Sequence, residues 1–304
     1  MIEIDGDSVK INDVNKLIRG NPIGGVFESL NDIWNHAWSK GDEYYPIGEK
    51  MTSKFEEQVC NLYPEIYEFI IKNAERSNTI PEIVSKDQFC LIIMDGMSLR
   101  EVLPLLEELR KYGEVEYKYS YSAIPSETEF FTKRYFNALS PSQMRSNEKY
   151  YYVHLQREDN IENIPLDKNK LIIWSTYPDF VFSHFKSAFE TQDLRGVFNK
   201  TKNILLKLLE HLSSYNKIII TSDHGYFVDT FAWKGLNDFP SGERYSFSVP
   251  ESLKKYCRKF NDYWVLVGRY NTIKRGKYVH VRHGGLSFLE AIVPLLEIRR
   301  NGGD

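Results

Sequence analysis

From Val26 to Trp38 the apolar side chains Val26, Phe27, Leu30, Ile33, Trp34 and Trp38 recur every three or four positions, the spacing that lines one face of an α-helix. Phe55, Val59, Leu62, Ile66, Phe69 and Ile70 repeat that spacing within residues 54–72. Residues 1–87 therefore read as a mostly helical segment, with turns at Gly20-Asn21-Pro22 and between Gly41 and Pro46. His36, set among aromatic residues, reads as a packed side chain. From about residue 88 the pattern changes to short, continuously apolar runs separated by longer amphipathic ones. Strands are predicted at 89–94, 117–123, 150–155, 171–174 and 218–221, and helices over 98–112, 127–139 and 194–214. A less regular stretch follows at 225–262, then a β pair made of 264–267 and 277–281, and 287–298 closes the domain. This alternation is α/β grammar, a sheet sandwiched by helices. The chain divides accordingly into a helical segment, 1–87, and an α/β domain, 88–304.

Composition removes some functions without choosing one. At 304 residues the chain can bury an ordinary core without disulfide or metal staples. With 42% hydrophobic and 27% charged residues and a net charge of −3, it has no general attraction to nucleic acid or membrane, so a polyanion would need a local patch. Aromatic residues, 14% of the chain, could stack on bases or simply pack. Cys60, Cys90 and Cys257 form neither a CxxC pair nor a secreted disulfide framework. The N-terminal Met-Ile-Glu-Ile-Asp is acidic where a signal peptide would be basic and then apolar, and no run has the length of a membrane span. The expectation is a cytoplasmic protein with no membrane partner.

The chemistry-bearing residues gather where an open α/β sheet binds ligands, at the carboxyl ends of strands. Asp95-Gly96 follows the strand 89–94, and Ser222-Asp223-His224-Gly225 follows 218–221. Asp179 and His184 come after 171–174, and His283-Gly284-Gly285 follows 277–281. Each alone has an ordinary explanation as a turn or a helix start. For Asp223-His224, Gly225 is expected to permit the backbone turn that brings both side chains to one place. Together, three Asp and three His at strand ends are ligands that divalent zinc accepts, and there are enough of them for two neighbouring ions. Such a pair suits in-line displacement at phosphorus. A nucleophile is available in Ala123-Ile124-Pro125-Ser126-Glu127-Thr128, where a strand gives way to a helix start. Ser126 or Thr128 would there stand beside helix-terminal N–H groups, although either could also be a plain N-cap. His154, His211 and His280 lack comparable neighbours and read as structural. Phosphate-loop GxxxxGK[ST], GxSxG elbow and sulfatase signatures are absent from the sequence.

Asp95-Gly96, Pro125-Ser126-Glu127-Thr128, Thr221 to Tyr226, and His283 to Ser287 running on to Val293-Pro294, in this order, resemble the PglZ-domain family of the alkaline phosphatase superfamily. The resemblance spans about 88–298. It implies an alkaline-phosphatase-like fold and two divalent ions, zinc or manganese. One ion would be held by Asp95, Thr128, Asp223 and His224, and the other by Asp179, His184 and His283. It also implies Thr128 as nucleophile, through the Pro-Ser-x-Thr pattern, and a phosphothreonine intermediate. Arg244 is expected to clamp a phosphate oxygen. The implied function is a metal-dependent phosphoesterase, a phosphodiesterase acting on nucleotides or oligonucleotides, with phage-defence proteins as partners. The rival from another class is a metal-bearing scaffold or binding subunit of a defence or signalling complex.

Overall fold

The computed structural model describes residues 2–182, 193–274 and 280–300. The chain begins with an antiparallel hairpin, β1 (Ile2–Asp5) and β2 (Ser8–Ile11), in which Ile2 faces Ile11. Helical spacing in residues 1–87 thus starts later than the pattern suggests. The longer helices that follow are α1 (Pro22–Trp38), α2 (Tyr44–Leu62) and α3 (Ile66–Arg76). Asn21 caps α1 by accepting from the Gly24 N–H, and Pro22 supplies a fixed φ at the first turn. The periodic run 54–72 is split between α2 and α3 at Tyr63-Pro64, since proline cannot donate to the preceding turn.

The central sheet has six strands in the order β4-β8-β7-β3-β6-β5. They are β3 (Phe89–Met94), β4 (Glu114–Tyr121), β5 (Tyr151–Leu155), β6 (Lys170–Ser175), β7 (Lys217–Ser222) and β8 (Ile292–Arg299). Strands β5, β6, β3 and β7 pair in parallel, and β8 runs antiparallel between β7 and β4. Every residue of β3 is buried, as a strand covered on both faces requires. Cys90, Ile92 and Met94 share one apolar cluster with Val26, Leu30 and Phe55 of α1 and α2, with Leu105 of α4 (Val102–Leu109) and with Leu205 of α6 (Asp193–His211). Leu91, Ile93 and Trp174 point the other way, against Phe131 of α5 (Thr128–Phe136). The sheet is therefore sandwiched by helices, as the alternating pattern predicts, and the N-terminal helices belong to the same core.

The expected pairing of 264–267 with 277–281 is not found. Tyr263–Leu266 lies between Cys257–Phe260 and Tyr245–Ser246, while Val281–Arg282 pairs with Phe227–Val228; residues 275–279 lie outside the described residues. Within 225–274, Cys257–Phe260 and Tyr263–Leu266 form a local hairpin across Asn261-Asp262, while Tyr245–Ser246 and Phe227–Val228 find partners far along the chain, which local alternation does not encode.

Buried ion pairs join the N-terminal helices to the α/β part. Glu49 of α2 lies 2.7 Å from Arg100 and 2.8 Å from Arg269, and Glu56, about two turns along the same helical face, accepts from the Phe288 N–H at 2.7 Å. Burial pushes the Glu56 carboxyl up to about 7 despite the opposing pull of Arg269. Among the described residues no helix is long and apolar enough to cross a membrane.

Candidate metal centre and nucleophile

Asp95 leaves the end of β3 with its N–H donating to the Ser175 carbonyl of β6, at 2.9 Å. The Asp179 N–H in turn donates to the Asp95 carbonyl at 3.0 Å, so the loops after β3 and β6 are stitched side by side. Gly96 has φ +77°, and a Cβ there would stand 3.3 Å from Asp179 Cβ and 3.6 Å from His224 Cε1. Both the left-handed backbone and the crowding call for glycine. Its N–H donates to Asp223 Oδ1 at 3.1 Å, fixing that carboxylate from behind. Gly225 proves to be needed for space and not for a left-handed turn. Its φ is not positive, and a Cβ would fall 2.0 Å from the Leu289 carbonyl oxygen.

Four acceptor atoms meet at the strand ends. Thr128 Oγ1 lies 2.7 Å from Asp223 Oδ2, 3.2 Å from His224 Nε2 and 3.4 Å from Asp95 Oδ1. His224 Nδ1 is 3.0 Å from the Gly225 carbonyl, which can only accept, so Nδ1 carries the proton and Nε2 presents its lone pair to the cluster. Trp174 Nε1 donates to Asp95 Oδ2 at 3.2 Å and leaves Oδ1 facing Thr128. Asp223 and His224 are buried, with Asp95 nearly so, while Thr128 and Asp179 are half-buried at the rim.

The second group adjoins the first through His224. The His283 ring stacks on that of His224, centroids 4.4 Å apart and planes 21° from parallel. His283 Nε2 is 4.0 Å from Asp179 Oδ1, and its Nδ1 is 3.1 Å from Glu127 Oε1. Asp95, Asp223 and His224 form one set whose ligand atoms all lie within 4.8 Å of one another, and Asp179, His224 and His283 form another. Carboxylate oxygens and imidazole lone pairs converging at that spacing fit divalent cations, which would cancel the mutual repulsion of the acceptors. Of the residues expected at the site, the structure thus brings together Asp95, Thr128, Asp179, Asp223, His224 and His283. His184 lies outside the described residues.

Arg244 takes a different place. It is 1% exposed, ion-paired with Glu290, donates to the Tyr270 carbonyl at 3.1 Å and lies over the Phe227 ring. Its guanidinium braces the loop 284–290 from inside the protein, where the sequence leads one to expect a clamp on a phosphate oxygen. Ser126 is likewise committed. Its hydroxyl donates to the Gly285 carbonyl at 2.7 Å and accepts from the Gly284 N–H, which ties the His-Gly-Gly loop to the start of α5. That leaves Thr128, first residue of α5, as the hydroxyl in the cluster. His211 reads as structural, with Nε2 2.8 Å from the Ile164 carbonyl. Trp174 and Glu127 are partners that spacing did not single out, since one reads as a core residue and the other as a helix-start acid.

No family model and no curated protein matches the chain. Among solved structures, murine ectonucleotide pyrophosphatase/phosphodiesterase 5 in an inactive form complexed with AMP superposes with a TM-score of 0.46 at 10% identity, over 69% of this chain and 88% of that one. A second structure of the same murine protein gives 0.46 at 11% identity, over 69% and 87%. Its human counterpart gives 0.43 at 11%, over 69% and 87%. Likeness at this level decides neither family nor activity for this chain.

Proposed function

We propose that this chain is a two-metal phosphoester hydrolase that uses Thr128 as its nucleophile, with zinc or manganese as the ions. The observation that carries this reading is the Thr128 hydroxyl, 2.7 Å from Asp223 and within 3.4 Å of both His224 and Asp95. Bound divalent ions would supply Lewis acidity, easing loss of the hydroxyl proton and stabilising charge on the phosphoryl group. Thr128 already directs its proton at Asp223 Oδ2. As Oγ1 forms its bond to phosphorus, the ester P–O bond on the opposite side breaks and the leaving alcohol takes a proton from solvent. Water then attacks the phosphothreonine in the same in-line sense. The P–Oγ1 bond breaks and Thr128 recovers a proton. The first-turn N–H groups of α5 point toward this end of the helix, where an anion is favoured. The motif from Ser222 to Tyr226 and that from His283 to Ser287 support a place within the PglZ branch, with defence-system proteins as the context that branch implies.

The test is direct. Purified chain should carry two divalent ions, lose hydrolysis of p-nitrophenyl esters on chelation and regain it with added zinc or manganese. A metal-replete chain that cleaves neither a phosphomonoester nor a phosphodiester would leave only the scaffold reading.

Support for a nucleotide substrate comes from aromatic rings beside the site. Tyr245 lies against Gly284, 3.3 Å from where a Cβ would stand, and packs edge-on to Phe130 and Tyr263. Phe247, 69% exposed, lies 4.5 Å from Tyr263 by centroid. Stacking on such a ring is worth about 1–3 kcal/mol per base. Phe247→Ala should therefore raise KM about tenfold for thymidine 5′-(p-nitrophenyl) phosphate and leave methyl p-nitrophenyl phosphate unchanged, because the two differ only in the nucleoside. An equal change for both esters would remove the base-stacking role.

A further inference from the structure

The residue before the nucleophile does something its position does not require. Glu127 is the N-cap of α5, in extended conformation at φ −136° and ψ 148°, yet its side chain makes no capping hydrogen bond. The carboxylate of Glu127 lies in ion-pair contact with His283, Oε1 being 3.1 Å from Nδ1. Gly284 makes the approach feasible. A Cβ at that position would stand 2.7 Å from Glu127 Oε1, and the φ of +90° is one that other residues rarely adopt. Ser126 fixes the two segments relative to each other, because its carbonyl and hydroxyl both accept from the Gly284 N–H.

We propose that Glu127 is the positioning residue of the second metal-binding group: the carboxylate, in ion-pair contact with His283, accepts from Nδ1 once an ion is held and so leaves the Nε2 lone pair on the side of Asp179. The inference rests on reading the cluster as a metal centre and adds a residue outside the ligand set. A carboxylate accepting from the far nitrogen of a ligating imidazole fixes tautomer and ring orientation and makes the ligating nitrogen more basic. His224 reaches the same end by another route, donating from Nδ1 to the backbone carbonyl of Gly225. In the proposed arrangement the two stacked imidazoles share one tautomer through two different acceptors. Only the His283 acceptor is a side chain, so only that one can be removed by substitution.

Cobalt(II) alone is the probe, since its visible spectrum reports each occupied position without turnover. The wild-type chain should bind two equivalents. Glu127→Ala should keep one at unchanged affinity and bind the second about 10–100-fold more weakly. His283→Ala should weaken the same equivalent. Glu127→Gln, whose amide oxygen can accept the same hydrogen bond, should restore the second equivalent to within a few-fold. Should Glu127→Ala prove unfolded by circular dichroism, Glu127→Leu supplies the same loss of the acceptor with more of the side-chain volume kept. A wild-type chain that binds no cobalt overturns the metal reading itself. Two equivalents bound equally well without Glu127, or lost as completely in Glu127→Gln as in Glu127→Ala, overturn the positioning role while leaving the metal centre intact.

Discussion

Metal-loaded Thr128→Ala protein is expected to lose on the order of 10⁴-fold or more in turnover of phosphate esters, the scale seen when a nucleophile that acts together with its activating groups is removed. Its metal content should stay near that of the wild type, because Asp95, Asp223, His224, Asp179 and His283 all remain. Alanine is well tolerated at the first position of a helix, so α5 should form as before. Thr128→Ser keeps the hydroxyl and should retain measurable activity, which separates loss of the oxygen from loss of packing. Metal analysis, kcat on a p-nitrophenyl diester and trapping of phosphothreonine under acid quench provide the readouts. If the alanine variant turns over at a comparable rate with its metals in place, water attacks the substrate directly and the hydroxyl is only a ligand.

What the sequence made legible follows the physics of strand ends. Asp95, Asp223 and His224 stand immediately after apolar runs that become adjacent parallel strands, so their convergence follows from the sheet, whereas His283 arrives on Val281–Arg282, which pairs with Phe227–Val228 outside it. Thr128 required more. Spacing leaves Ser126 and Thr128 as equals, and the choice is made by tertiary hydrogen bonds from the 284–285 loop that occupy the Ser126 hydroxyl. The interior place of Arg244 was not legible because Glu290, which pairs with it, is 46 residues away. Glu127 and Trp174 stayed hidden because their partners, His283 and Asp95, are 156 and 79 positions away. The same limit applies to the fold. The apolar run of β3 announces a strand, but nothing local tells that β8 inserts antiparallel between β7 and β4. The opening hairpin escaped because strands of four residues, with charged neighbours, give too short an alternation to read.

The largest effect on stability is expected at Glu49, far from the acceptor cluster. Its carboxylate, fully buried, bridges Arg100 at 2.7 Å and Arg269 at 2.8 Å, and both guanidiniums are fully buried too. Burial works to lower the pKa of Arg100, and the Glu49 charge is the first of the neighbours that outweigh it and hold the group protonated. Without Glu49 the guanidiniums cannot escape by losing a proton as a lysine could. Breaking one partner out of such an arrangement costs about 3–5 kcal/mol. Glu49→Ala should therefore lower the urea midpoint strongly and Tm by roughly 5–8 °C. Asp42→Ala, which breaks an exposed pair with Arg195, should barely move either, since solvent already screens that contact. The consequence reaches the site, because Arg100 also donates to the Tyr226 carbonyl, three residues beyond Asp223, and Arg269 pairs with Glu56, which holds the Phe288 N–H after the His283 loop. Helix α2 thus fixes from behind both segments that carry His224 and His283. A Glu49→Ala protein as stable as the wild type would mean that water or neighbouring carboxylates compensate the two arginines, and that the N-terminal helices contribute apolar packing alone.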